Sequence, residues 1–278
     1  MGKKRFFDDR LKYLSFIQNT SEKRAISEQL APHIASMEQN RTFLRVLDAG
    51  TGDGTVKSNV IKTFHKYHPY TSLLITGKEI SYEDLKNTLE KMPDRFVEHP
   101  NLLVTMTNVK FAELGHIESS NKIKGKNVKS YNLVLKDDNS FDFHTQINKL
   151  NTFIKKNWGI EIDNKSRTSY ANPCIIRIYR EDHKRYIEPF IDNDYKNNNY
   201  DLIIASQAYR AASEVKTKVN NVIAPLMRLL NKSGKLLVTH SCGGDTVEKI
   251  LKVAWKDKNP FPNKAKDIIE FLKNNPVG

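Results

Sequence analysis

The sequence predicts an α/β protein with a doubly wound, mostly parallel sheet and an α+β insertion between the third and fourth core strands. Three observations predict it. Phe43, Leu44, Val46 and Leu47 form an apolar run that leads directly into the glycine-rich stretch Asp48, Ala49, Gly50, Thr51, Gly52, Asp53, Gly54. Short apolar runs recur near residues 72–78, 101–108, 200–206 and 235–240, each with the length and β-branched content of a buried strand. Between most of them lie stretches with apolar residues at helical spacing, the alternation expected of βαβ units.

Ahead of the first strand, Leu11, Leu14, Ile17, Ile26, Leu30 and Ile34 recur near helical spacing, interrupted by the cap-like Asn19, Thr20, Ser21 and Glu22. Two helices are expected there. The glycines of the turn permit dihedrals closed to other residues and let a ligand approach the backbone without meeting a Cβ. The helix after it, near residues 55–67, would aim unpaired N–H groups over the turn. A second strand near 72–78 ends at Glu79, placed so that its carboxylate can accept hydrogen bonds from vicinal ribose hydroxyls, with Ile80 beside it as an apolar surface. After a helix near 82–92, the third strand ends at Thr107 and Asn108.

About ninety residues then separate Asn108 from the strand Tyr200–Ser206, far more than one crossover helix needs. Inside this segment a strand is expected near 131–136, an amphipathic helix over 143–158 with Ile147, Leu150, Ile154 and Trp158 on one face, and a strand near 173–179. The Asn-rich run 192–199 reads as an exposed linker. A long helix over about 214–231 precedes Gly234 and the fifth strand, which ends at His240. Helices near 246–256 and 264–274 follow, with no closing pair of strands.

The pattern Asp48, Gly50, Gly52, Gly54, the carboxylate of Glu79, the strand ending at Ser206 and Gln207, and the helix-Gly-Lys-Leu-Leu-Val step at 234–238 resemble, in that order, the class I S-adenosylmethionine-dependent methyltransferases. An acid ahead of the glycines would repel a pyrophosphate and suits a cationic amino-acid group, which sets the pattern apart from dinucleotide turns. The resemblance implies the Rossmann-like fold of that family and S-adenosyl-L-methionine as cofactor. It places the cofactor against Asp48, Ala49, Gly50, Thr51, Gly52, Glu79, Ile80, Thr107, Asn108, Ser206 and Gln207. It also implies N-terminal lid helices over residues 1–42, with Tyr13, Phe16 and Thr20 as candidates to shape the acceptor pocket. The core would span 43–117 and 200–278, and 118–199 would be an acceptor-recognition subdomain. The family normally closes its sheet with an antiparallel hairpin, for which the sequence shows no strands after the fifth.

Methyl transfer from a sulfonium is an in-line displacement, so the protein's task is chiefly alignment. Where the acceptor must lose a proton, His240 at the tip of a central strand is the candidate base, with Tyr209 beside the reacting methyl. Tyr209 and Arg210 offer an aromatic face and a guanidinium, a pairing suited to an amino-acid-like acceptor, and Ser241 is a further polar contact. Asn-Pro-Pro-Tyr and Asp-Pro-Pro-Tyr, which orient exocyclic amines of bases, are absent from the fourth strand's end, which disfavours base N-methylation. The expected acceptor is a small metabolite. An RNA or protein acceptor is the first rival reading, a non-catalytic cofactor-binding partner subunit the second, and a nicotinamide dehydrogenase a more distant one.

The net charge of +13 is spread out: the excess of Lys and Arg over Asp and Glu is +4 over residues 1–47, −1 over 48–117, +4 over 118–200 and +6 over 201–278. No block is a concentrated basic arm, so nucleic-acid binding is possible without being favoured. The two cysteines, Cys174 and Cys242, supply no disulfide framework or Cys-based zinc site. His65, His68 and His116 lack carboxylate or Cys neighbours at ligand spacing, so no metal site is expected. No apolar run approaches the roughly 20 residues of a membrane span, and the first residues lack the apolar core of a signal peptide, so a cytoplasmic location is expected.

Overall fold

The computed structural model describes residues 22–38, 40–117, 121–162, 168–191, 199–206, 208–241 and 261–277. Helix α1 (Glu22–Ala35) precedes strand β1 (Phe43–Ala49), followed by α2 (Thr55–Tyr67), β2 (Ser72–Lys78), α3 (Tyr82–Glu90), α4 (Pro93–Glu98) and β3 (Leu102–Thr107). A 3-10 turn over Phe111–His116 leads to the short hairpin β4 (Lys122–Ile123) and β5 (Lys126–Asn127), then β6 (Lys129–Leu135), α5 (Ser140–Asn148) and α6 (Leu150–Asn157). A second hairpin, β7 (Ile160–Ile162) and β8 (Thr168–Tyr170), precedes β9 (Cys174–Arg180) and α7 (Lys184–Ile187). The chain returns through β10 (Tyr200–Ser206), α8 (Val215–Lys218), α9 (Ala224–Met227), β11 (Leu230–Thr239) and α10 (Ala265–Asn274).

Seven strands form one mixed sheet in the order β11-β10-β1-β2-β3-β9-β6. The five strands from β11 to β3 are mutually parallel, β9 runs antiparallel to β3, and β6 is parallel to β9. Strand pleating sends Leu44 and Val46 to one face and Leu47 and Ala49 to the other, and both sets are buried. On the first face they join Val60, Ile61 and Phe64 of α2 and residues of α1, α3, α5 and α6. On the second they join Val222, Leu226 and Leu229 around α9. This is the two-sided cover that parallel strands require.

Within the segment 118–199, β9 and β6 extend the central sheet at its β3 edge. Among the described residues, β11 ends the other edge with no hairpin beyond it. The helix expected over 143–158 divides near Lys149, yet Ile147, Leu150, Ile154 and Trp158 are all buried as their spacing requires. The helix expected over 214–231 contains a π-helical stretch at Val219–Ile223 and ends at Met227. The fifth strand accordingly begins at Leu230 rather than 235, with an irregularity in its pairing to β10 between Tyr200 and Leu202. A Cβ on Gly234 would lie 2.6 Å from the Tyr200 carbonyl oxygen, so only glycine fits that irregularity. The helix expected near 246–256 lies outside the described residues. No described helix is long and apolar enough to cross a membrane.

Candidate functional site

Parallel strands β10, β1, β2 and β3 end at one edge of the sheet, and the chain order reverses between β1 and β10: β2 and β3 build outward on one side of β1, β10 and β11 on the other. The glycine turn lies at this reversal, the usual ligand crevice of an open α/β sheet. Gly50, Gly52 and Gly54 have φ of 129°, 56° and 77°, a region that L side chains rarely adopt. A Cβ on Gly54 would lie 2.7 Å from Thr88 Cα, whereas one on Gly52 would meet nothing within 4 Å. The space over Gly52 is open to a ligand. Several elements fix the turn: the Thr88 hydroxyl donates to the Gly52 carbonyl at 3.0 Å, Lys91 Nζ donates to the Asp53 carbonyl at 2.8 Å, and Lys23 of α1 pairs with the Asp53 carboxylate at 2.7 Å. Asp53 in turn accepts from the Thr55 N–H and hydroxyl at the start of α2, and these partners hold its carboxyl below the usual carboxylate range.

Glu79 is the keystone of the same turn. Its Oε2 accepts from the Gly52 N–H at 2.9 Å, and its Oε1 accepts from the Ile80 and Ser81 N–H groups at 2.8 and 2.7 Å. The carboxylate therefore joins the glycine turn to the N-terminus of α3, where Ser81 caps through its hydroxyl. Ile80 is half-buried next to it.

Asp48 and Thr51 lie beneath the turn. Asp48 is 1% exposed and neither carboxylate oxygen has a hydrogen-bond partner. Burial pushes its pKa up to about 6, against the opposing pull of Lys57 and Thr51. Lys57 is completely buried, donates only to the Met106 sulfur at 3.3 Å, and is pushed down to about 8 by the same loss of water. The Lys57 nitrogen, Met106 sulfur and Thr51 hydroxyl converge on the spot a Cβ of Gly77 would fill. Gly77 is thus the opening in β2 that admits a lysine into the sheet.

Across the reversal, the Ser206 carbonyl and Ala208 lie against Gly50. The Tyr209 hydroxyl faces His240 Nδ1 at 3.3 Å, and His240 Nε2 lies 2.9 Å from the Asn263 carbonyl oxygen. A carbonyl only accepts, so Nε2 carries the proton and Nδ1 accepts from the tyrosine. Burial raises the Tyr209 pKa to about 12. The buried Lys218 supports the ring from 5.4 Å while donating to the Ala211 carbonyl at 2.7 Å. The two residues expected to act at the methyl group are therefore together, with His240 anchored on both nitrogens. Arg210 is exposed, and Ser241 is half-buried beyond His240. Tyr13, Phe16, Thr20 and Gln207 lie outside the described residues.

Thr107 and Asn108, expected against the cofactor, are bonded within the fold. The Thr107 hydroxyl donates to the Cys174 carbonyl at 2.8 Å, while Asn108 donates to the Asn172 carbonyl and accepts from the Cys174 N–H at 2.9 and 2.8 Å. Both are buried. Their side chains anchor the start of β9 where it joins the sheet, a demand invisible without knowing that β9 pairs with β3. Lys57, Thr88 and Lys91 were not expected at the site. A signal for Lys57 existed: it shares a helical stripe with Val60, Ile61 and Phe64, an apolar face on which a lysine is out of place.

No protein-family model matches this chain. No curated protein matches it either. Among solved structures, the crystal structure of MNMC2 from Aquifex aeolicus is similar over 89% of this chain and 62% of that chain, at 11% identity and a TM-score of 0.30. The chain spans less than two thirds of that protein's length. Likeness so remote leaves the function to be argued from the residues themselves.

Proposed function

We propose that this chain is an S-adenosylmethionine-dependent methyltransferase acting on a nitrogen, oxygen or sulfur of a small metabolite. The observation that carries the reading is the glycine turn at the strand-order reversal: three positive-φ glycines, open space over Gly52, and a carboxylate at the tip of the adjacent strand. A buried carboxylate with no hydrogen-bond partner beneath the turn suits a cationic ligand and opposes a pyrophosphate.

The bound cofactor would supply an electrophilic methyl on sulfur; the protein's part is to hold and orient. Three of the roughly four lone-pair directions of the Glu79 carboxylate accept backbone N–H groups, which leaves one, on Oε2, to offer to a ligand hydroxyl. Tyr209 presents its hydroxyl at the end of β10. A proton leaving the acceptor reaches His240 Nδ1 only through or past that hydroxyl, so the two residues act as one relay. The 118–199 segment, built onto the β3 edge, would carry acceptor recognition.

An RNA acceptor is the second reading, and it would draw on the lysines of the run 121–129, of which Lys124 pairs with Glu113 and Lys126 with Glu161. One experiment separates these readings. The protein is incubated with methyl-labelled S-adenosylmethionine and a cell extract, which is then split into metabolite, RNA and protein fractions. Label in the metabolite fraction is expected. Label in RNA or protein moves the assignment to a large acceptor, and absence of transfer by a chain that binds the donor makes it a non-catalytic partner subunit.

A further inference from the structure

A lysine and an aspartate share the interior beneath the turn with no carboxylate–ammonium hydrogen bond between them, an arrangement that stability alone would not select. Asp48 has no hydrogen-bond partner on either oxygen, and Lys57 has only a thioether. Both are fully buried. A lone carboxylate in such a place would take up a proton and become neutral, because burial disfavours the charged form. A cation held nearby opposes that, and Asp48 lies in register with Gly77 of β2, where the Lys57 nitrogen occupies the place of the missing Cβ.

We infer that Lys57 is a positioning residue: the buried counter-cation that keeps Asp48 charged beneath the glycine turn, so that the turn accepts a ligand with a cationic head. This rests on the donor assignment above and assigns Lys57 a role in it. The charged groups around Asp48 are few. Lys57 comes from α2, Glu79 from the end of β2 and Asp53 from the turn. β3 contributes the uncharged Met106, and the paired position on β10 is Ile204. Glu79 and Asp53 both favour protonation of Asp48, so Lys57 is the cation acting against burial. Asp48 is too buried to touch the ligand and acts through space, in a medium where charges are weakly screened.

The sign follows directly. Burial pushes the Asp48 carboxyl up, and the Lys57 charge acts against that rise. In Lys57→Met the carboxyl titrates higher, is protonated at pH 7 and ionises only in more alkaline solution. A displacement of one pKa unit past neutrality removes about tenfold of the charged form. The fold tolerates the change because the stranded carboxyl takes up a proton.

The test has two arms. Carboxyl-carbon NMR follows the titration of Asp48 in wild type and Lys57→Met without any ligand, with Asp48→Asn identifying the resonance. Calorimetric titration with S-adenosylmethionine at pH 7.0 and 8.5, in phosphate and in Tris buffer, gives affinity and protons exchanged. The expected result is a raised Asp48 titration in Lys57→Met, binding about tenfold weaker than wild type at pH 7.0 with the gap narrowing at pH 8.5, and close to one extra proton released on binding. An unmoved carboxyl titration overturns the inference, as does a loss of affinity that is equal at both pH values and releases no extra proton. Failure of the wild type to bind the donor removes the donor assignment, while the NMR arm still decides whether Lys57 sets the charge of Asp48.

Discussion

Glu79 shows how one side chain serves both fold and site. It accepts three backbone N–H groups, each otherwise unpaired, at the junction of the glycine turn and α3. Glu79→Ala should lower stability by about 2 kcal/mol in urea denaturation and also weaken donor binding, whereas Glu79→Gln, which keeps one acceptor oxygen, should lose less of both. Unchanged stability in the alanine variant would mean that the turn holds itself. The Asp48 and Lys57 pair makes the opposite prediction. Burial raises one pKa and lowers the other, so ionising Asp48 costs stability as pH rises from about 4 to 6, and protonating Lys57 costs stability as pH falls from about 10 to 8. Asp48→Val combined with Lys57→Met, which removes both charges and leaves no unpaired amide, should therefore stabilise the protein by about 1–4 kcal/mol, most between pH 6 and 8, while weakening the cationic ligand. A double variant less stable than wild type at pH 7 would show that the pair supports the fold.

Elements with strong local signatures were legible in the sequence, and those set by pairing were not. The run Phe43–Ala49, the helix over Thr55–Tyr67 and the strand Tyr200–Ser206 follow from apolar content and the turn residues beside them. The glycine turn was readable because three closely spaced glycines after an apolar run mark backbone that needs positive φ, and Glu79 because it ends the next apolar run. The start of β11 was misplaced by five residues because Gly234 looks like a helix stop, while the fold uses it where β10 and β11 slip in register. Gly234→Ala tests this: a Cβ 2.6 Å from the Tyr200 carbonyl should cost about 2 kcal/mol and disturb the edge of the sheet. Full stability in that variant would show that the irregularity can relax. The bonds that Thr107 and Asn108 make to 172–174 were not legible for a related reason, since those partners are distant in sequence and lead into a strand whose partner was unknown.

At the scale of the whole molecule, the additions are segregated. The five-stranded parallel unit carries the glycine turn, Glu79 and the Tyr209–His240 pair at its carboxyl edge, and β9 and β6 extend it at the β3 side without interrupting the order reversal. Helix α1 reaches the turn through the Lys23–Asp53 ion pair. The measurement that tests the central claim most directly is calorimetric titration of the purified chain with S-adenosylmethionine and S-adenosylhomocysteine, with NAD as control. Micromolar binding of the two sulfur ligands and none of NAD is the predicted result. Binding of NAD, or of none of the three, would contradict the assignment of the glycine turn.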